Sequence, residues 1–180
     1  MANEQAKVKA DLNGLNELLK SLKQDYFVRI GIIGAKAKQK HKNSNLTKAE
    51  LGTIHEQPDN DGKKIPKRSF LEMPLKLKLN FNDAELKELK KSAWTQIFLK
   101  KKPKEFFAQL GAKALDIVTG AFETNGYGEW QPWSKGYERK RINEVKGKKK
   151  REQFWLNHNI LTYTGELRNK SIEMKVLKRK

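Results

Sequence analysis

His55-Glu56 begins as a zinc-protease motif does, with a metal-ligating imidazole beside a general base. The second imidazole must stand four residues on to share a helix face, and Asp59 occupies that position, so this metal site fails. Pro58-Asp59 followed by Asp61-Gly62-Lys63 offers the carboxylates and lysine of a metal-dependent nuclease. That chemistry separates its two elements with strand structure, whereas these residues crowd one turn and read as a solvated turn. Asn157-His158-Asn159 suggests a second nuclease fragment, but one imidazole without a metal-binding companion has nothing with which to activate water. No Gly-rich loop ends in Gly-Lys-Ser/Thr, and Gly31-Ile32-Ile33-Gly34 has neither the spacing nor the following helix of a dinucleotide fingerprint. With no Cys and only three scattered His residues, disulfides, thiolate zinc sites, other metal sites and cofactors are not expected. The chain reads as a non-enzyme with no catalytic residues.

Composition bounds what else it can be. At 180 residues, 37% apolar and 33% charged, the chain has enough material for one core, which predicts a single domain over residues 1–180. Polar residues interrupt every apolar stretch well short of the roughly 18 to 20 residues a membrane span needs, so a soluble protein without membrane contact is expected. Met1-Ala2-Asn3-Glu4-Gln5 lacks a basic lead into an apolar run, so no secretory signal is expected, and synthesis in a reducing cytoplasm fits. A formal charge of +18 points to acidic partners, nucleic acid among them. Yet the lysines cluster at Lys36–Lys42, Lys100–Lys104 and Lys146–Arg151, between ordinary amphipathic segments, and Phe106, Phe107 and Phe122 fall at helical rather than base-stacking spacing. At most non-specific DNA contact is expected.

The elements that would carry these residues follow from periodicity. Leu12, Leu15, Leu19 and Leu22, with Leu18 beside them, predict an amphipathic helix over 5–23. Tyr26–Ile33, rich in aromatic and β-branched residues and closed by Gly34, predicts a strand. Residues 35–46 and 135–151 have too little apolar content to offset ordering entropy and read as flexible basic loops. Thr47 stands three residues before Glu50, the capping-box spacing, so a short helix over Lys48–Gln57 follows, with Leu51 and Ile54 facing inward. Pro66 biases Ile65 towards extended geometry, and an extended stretch through Phe70–Leu79, interrupted at Pro74, is expected. Leu86, Leu89, Ala93 and Ile97, with Trp94 alongside, predict a helix from Asp83. The clearest helix carries Phe107, Leu110, Ala114, Ile117, Val118 and Ala121 between Pro103 and Gly126. Ser171–Leu177 alternates Ile172, Met174 and Val176 with polar residues and reads as a strand. The predicted class is α+β, with long amphipathic helices packed on a small, mainly antiparallel sheet.

Five segments are then left without a catalytic use. Val28-Arg29-Ile30-Gly31-Ile32 precedes Ala49-Glu50-Leu51-Gly52-Thr53-Ile54-His55-Glu56, and Ile65-Pro66-Lys67-Arg68-Ser69-Phe70-Leu71 follows it. Later come Trp130-Gln131-Pro132-Trp133 and Ile160-Leu161-Thr162-Tyr163-Thr164-Gly165-Glu166-Leu167-Arg168-Asn169-Lys170-Ser171-Ile172. In this order they resemble the phage virion morphogenesis proteins, the tail-completion and neck proteins of Mu-like and P2-like phages. The resemblance spans about Val28 to Ile172. It departs from the family at Ser69, where a second Pro is common, at Gln57-Pro58-Asp59 in place of a Gly-containing link, and at the inserted Lys170.

The resemblance implies a structural part of a virion, a tail terminator or neck protein acting in tail completion and head-tail joining. It would form a homo-oligomeric ring, such as a hexamer, between the tail tube protein and the head connector or head-completion protein. Its place would be the head-tail junction of a virion assembled in the bacterial host cytoplasm. The implied assembly interface comprises Ile54, His55, Glu56, Arg68, Phe70, Trp130, Trp133, Thr164, Gly165, Leu167 and Arg168. Read from the residues alone, Trp130 and Trp133 equally fit a cap over the core, Arg68 a carboxylate pair, and Thr164-Gly165 a turn. The alternative function is that of a basic nucleic-acid-binding protein.

Overall fold

The computed structural model describes residues 14–20, 23–41, 44–57, 65–80, 82–100, 103–145, 147, 150, 159–161 and 166–179. In chain order these form α1 (helical over 14–20), β1 (Tyr26–Gly31), a 3₁₀ turn (Gly34–Lys38), α2 (Lys48–Glu56), α3 (Glu72–Lys78) and α4 (Ala84–Thr95). A π-helical turn (Gln96–Lys100), α5 (Pro103–Glu123), α6 (Lys135–Glu144), a second π-helical turn (Leu167–Ser171) and β2 (Glu173–Lys178) follow. β1 and β2 pair as a two-stranded antiparallel sheet, and the class is α+β. No helix among the described residues is long and apolar enough to cross a membrane.

Residues 1–180 read as one domain in sequence; in space the described residues group into two compact units. One draws on 1–29, 80–114 and 174–180, the other on 30–79 and 115–173, so β1, α5 and β2 each contribute to both. Neither unit is a contiguous stretch of chain.

In the first unit Leu86 and Ala93, two helical turns apart on α4, are buried, as is Ala114 on α5. Gly111 lets α5 approach the strands closely: a Cβ there would lie 2.8 Å from Met174 Sδ and 3.0 Å from Val28 Cγ1. The rings of Tyr26 and Phe107 sit 6.0 Å apart, and Lys113 Nζ lies 2.6 Å from the Glu85 carboxylate. The stripe expected on the first helix is not a buried one, since Leu15 and Leu19 are exposed and only Leu18 is half-buried, while Leu12 and Leu22 lie outside the described residues. Trp94, beside the buried stripe of α4, is also exposed and stacks on Phe98 at 5.5 Å.

The second unit holds the largest core cluster, with Phe70, Val118, Ala121, Phe122, Trp130, Ile160 and Leu167 buried together. α2 starts where the capping box places it: Glu50 N–H donates to Thr47 Oγ1 at 3.2 Å, and Thr47 N–H donates to the Glu50 carboxylate at 2.7 Å. Those contacts, the Thr47 backbone first, hold the Glu50 carboxyl below its ordinary value. α5 buries Ile117, Val118, Ala121 and Phe122 as its periodicity requires and then stops through Gly126 N–H, which donates to the Ala121 carbonyl.

Further expectations differ from the structure. The stretch Phe70–Leu79 is not extended: Glu72–Lys78 is helix α3, with Pro74 in its first turn, where a missing N–H costs no helical bond. Within 135–151, expected as a loop, Lys135–Glu144 is helix α6, started by Ser134 Oγ accepting from Tyr137 N–H. Within 35–46 the 3₁₀ turn and an antiparallel bridge from Lys40 to Thr47 give local structure to the basic segment. β2 begins at Glu173, because Ser171 is taken up in the π-helical turn, its hydroxyl donating to the Glu166 carbonyl at 2.9 Å.

Gly126 has φ of +70°, and a Cβ built on it would sit 2.3 Å from Trp130 Cδ1. Gly126→Ala is expected to cost about 3 kcal/mol, from positive-φ strain together with displacement of a buried indole. Urea denaturation with an unchanged m-value measures this, and a loss under about 1 kcal/mol would mean that the turn relaxes.

Candidate functional site

The second unit brings together residues that the sequence scatters. Glu56, the last residue of α2, accepts from Phe70 N–H and Leu71 N–H at 2.6 Å each and from Ser69 Oγ at 2.8 Å. Leu71 at the N-cap of α3 offers no side-chain cap, so a carboxylate from another helix serves the orphan donors there. Ser69 passes the interaction on by accepting from Met73 N–H at 2.9 Å.

Arg68 follows the same path. Its N–H donates to the His55 carbonyl at 3.0 Å, its Nε to the Gln131 carbonyl at 3.0 Å and its Nη2 to the Pro132 carbonyl at 3.3 Å. Trp130 Nε1 donates to the Ser69 carbonyl at 2.9 Å, and its ring meets Phe122 edge-on at 5.5 Å. The segment from Ile65 to Leu71 is thereby joined on one side to α2 and on the other to Trp130–Trp133. Asn125 Oδ1 accepts from Ile160 N–H at 2.7 Å, tying the last of the five segments to the end of α5.

The structure sorts the predicted site residues into distinct settings. Phe70, Trp130 and Leu167 are core; Glu56 and Arg68 are the polar joints just described; Ile54 is half-buried on α2. Arg168 pairs with Glu123 at the surface. Thr164 and Gly165 lie outside the described residues, as do Pro58 to Lys64 and His158. Among the described residues no three His, Cys, Asp or Glu side chains converge as a metal site.

His55 and Trp133 face a shared cleft of about 180 Å³, lined also by His41, Leu51, Arg68, Tyr137, Arg141, Leu161 and Leu167. Tyr137 meets Trp133 edge-on at 5.3 Å, and Arg141 stands over the Tyr137 ring while its Nε donates to the phenol oxygen at 2.9 Å. Behind it Lys48, buried, lies 3.4 Å from the Glu166 carboxylate and 2.9 Å from Gln39 Oε1; His41 Nε2 is 3.5 Å from the other Glu166 oxygen. Sequence reasoning missed Tyr137 and Arg141 because the lysine-rich segment around them read as a loop. Their i, i+4 spacing after Ser134 was the available signal.

Burial first, and then the Arg68 charge, push the His55 imidazole down to about 4. The unfolded imidazole, with its ordinary value of 6.5, protonates first, so between these values the unfolded state holds more protons and stability falls as pH falls. Moving from about pH 7 to about pH 5 should remove about 2 kcal/mol through this group. Denaturant titrations of wild type and His55→Leu at both pH values check this; equal losses in the two proteins would place the acid sensitivity elsewhere.

Glu56→Ala should cost about 3 kcal/mol, since it leaves two buried donors at Ser69 and Phe70 without acceptors, while Glu56→Gln, which keeps one acceptor oxygen, should cost about half as much. Equal stability of the two variants would show that the carboxylate is dispensable. Comparison of the chain with protein-family models, with curated proteins and with solved structures finds no match.

Proposed function

We propose that this chain is a non-enzymatic subunit of phage assembly, a tail-completion or neck protein that forms a ring at the head-proximal end of a tail and offers a docking surface to the head connector. The observation that carries the reading is the mutual bonding of the resembling segments. Glu56 binds the backbone of Ser69–Leu71's segment, Arg68 binds Gln131 and Pro132, Trp130 binds Ser69, and Leu167 shares their core. Motifs shared by accident have no reason to form one hydrogen-bonded unit, whereas a family's scaffold does. A closed ring further requires contacts between unlike patches of adjacent subunits, and that role falls to surfaces carried by this scaffold.

The charge of +18 favours one second reading, a basic protein that binds nucleic acid. The two separate by experiment. In a phage or prophage that encodes the chain, deletion of its gene should leave heads and tails unjoined in electron micrographs, and purified protein added to the lysate should restore joining. Infectious particles at undiminished yield would defeat the assembly reading. DNA association of the isolated protein should weaken at least about a hundredfold between about 50 and 200 mM salt. A sequence-preferring complex that outlasts that change would favour the second reading instead.

A further inference from the structure

The cleft lined by Arg68, His55, Trp133 and Tyr137 contains a charge that the described residues leave uncompensated. Arg68 is 8% exposed, and its bonds go to two backbone carbonyls; no carboxylate among the described residues pairs with it. Taking a guanidinium out of water without an anion is costly, and burial lowers its pKa from the ordinary value. Nε and Nη2 are engaged along one side of the fork, so Nη1 and the end-on edge it shares with Nη2 stay open, which is the geometry for a two-point contact with a carboxylate. His55 Nδ1, also in the lining residues, is buried with no hydrogen-bond partner. The negative groups already nearby are committed: Glu144 pairs with Arg141 at 2.7 Å, and Glu166 is shared by Lys48 and His41.

We propose that this cleft receives an Asp or Glu side chain from an acidic segment of a protein partner, with Arg68 as its ion-pair partner and Trp133 and Tyr137 as its walls. The site rests on the assembly reading only for the partner's identity, not for its chemistry. A carboxylate side chain fits the cleft volume of about 180 Å³, and Leu51, Leu161 and Leu167 would pack on its methylenes. The phosphates of a duplex project from a rigid rod and are met by exposed lysines, not by a guanidinium at the back of a cleft this small. Arg and Trp flanked by apolar walls are also the composition of interface residues that dominate binding.

The test follows the Trp133 indole N–H resonance of the full chain, assigned with Trp133→Phe, while a blocked hexaglutamate peptide is added at near-physiological salt. A saturable shift is expected, absent with hexaglutamine, weakened at least about tenfold in Arg68→Gln and in Arg141→Gln, and within about twofold of wild type in Lys87→Gln, which does not line the cleft. If Arg68→Gln does not fold, Arg141→Gln at the rim and the glutamine peptide carry the comparison. No shift, or equal weakening by Lys87→Gln, would overturn the site, as would displacement of the peptide from Trp133 by duplex DNA. The outcome is separable from that of the gene deletion: binding with undiminished particle yield keeps the cleft and removes the assembly reading, and unjoined heads without peptide binding do the reverse.

Discussion

A single carboxylate holds the second unit's polar interior together. Glu56 ends α2, and its two oxygens take the hydroxyl of Ser69 and the amides of Phe70 and Leu71, so that one helix starts where another finishes. Charge-assisted bonds to backbone donors are about twice as strong as neutral ones, and here they also set direction. With Ser69–Leu71 fixed, the Arg68 side chain donates to the Gln131 and Pro132 carbonyls, and the Ser69 carbonyl accepts from the Trp130 indole. Phe70 then enters the core at 5.5 Å from Phe122. Packing and polar satisfaction are therefore not independent contributions in this unit.

The same constraint gives the cleft its character. Because the backbone carbonyls of Gln131 and Pro132 occupy one edge of the Arg68 fork, the residue is oriented without being neutralised. A carboxylate in their place would have paired the charge and left a purely structural joint. Carbonyls keep the guanidinium in position while preserving its charge, and that charge is also what helps keep the His55 imidazole neutral.

How much of this was legible depended on whether the cause was local. The capping box at Thr47 and Glu50, the apolar stripe of α5, and the aromatic and β-branched run of β1 carry their own instructions, and α2, α5 and the two strands lie within a few residues of where periodicity places them. α3 was hidden because its start is capped by Glu56 from another helix, while Pro66 and Pro74 speak locally for extended chain. α6 was hidden because it has little apolar face; its lysines and arginines resemble solvated loop, and only Ser134 and the Tyr137–Arg141 spacing mark it. At the candidate site, His55, Arg68 and Trp133 were visible as residues from separate motifs. That Arg68 would bond to carbonyls, and that Phe70, Trp130 and Leu167 would be core, required the long-range contacts themselves.

Those contacts also decide when the protein can fold. The bonds from Arg68 to Gln131 and Pro132 close loops of 63 and 64 residues, and that from Trp130 to Ser69 closes one of 61. Loop closure of this length must precede the burial that rewards it, so α2 and α5 can form early while the unit they share cannot. On the ribosome, residues 30–79 would wait for Trp130, and the core would stay open until Ile160 and Leu167 had emerged. For much of synthesis Phe70 and Phe122 are then unprotected apolar surface, in a chain whose positive charge opposes association between copies.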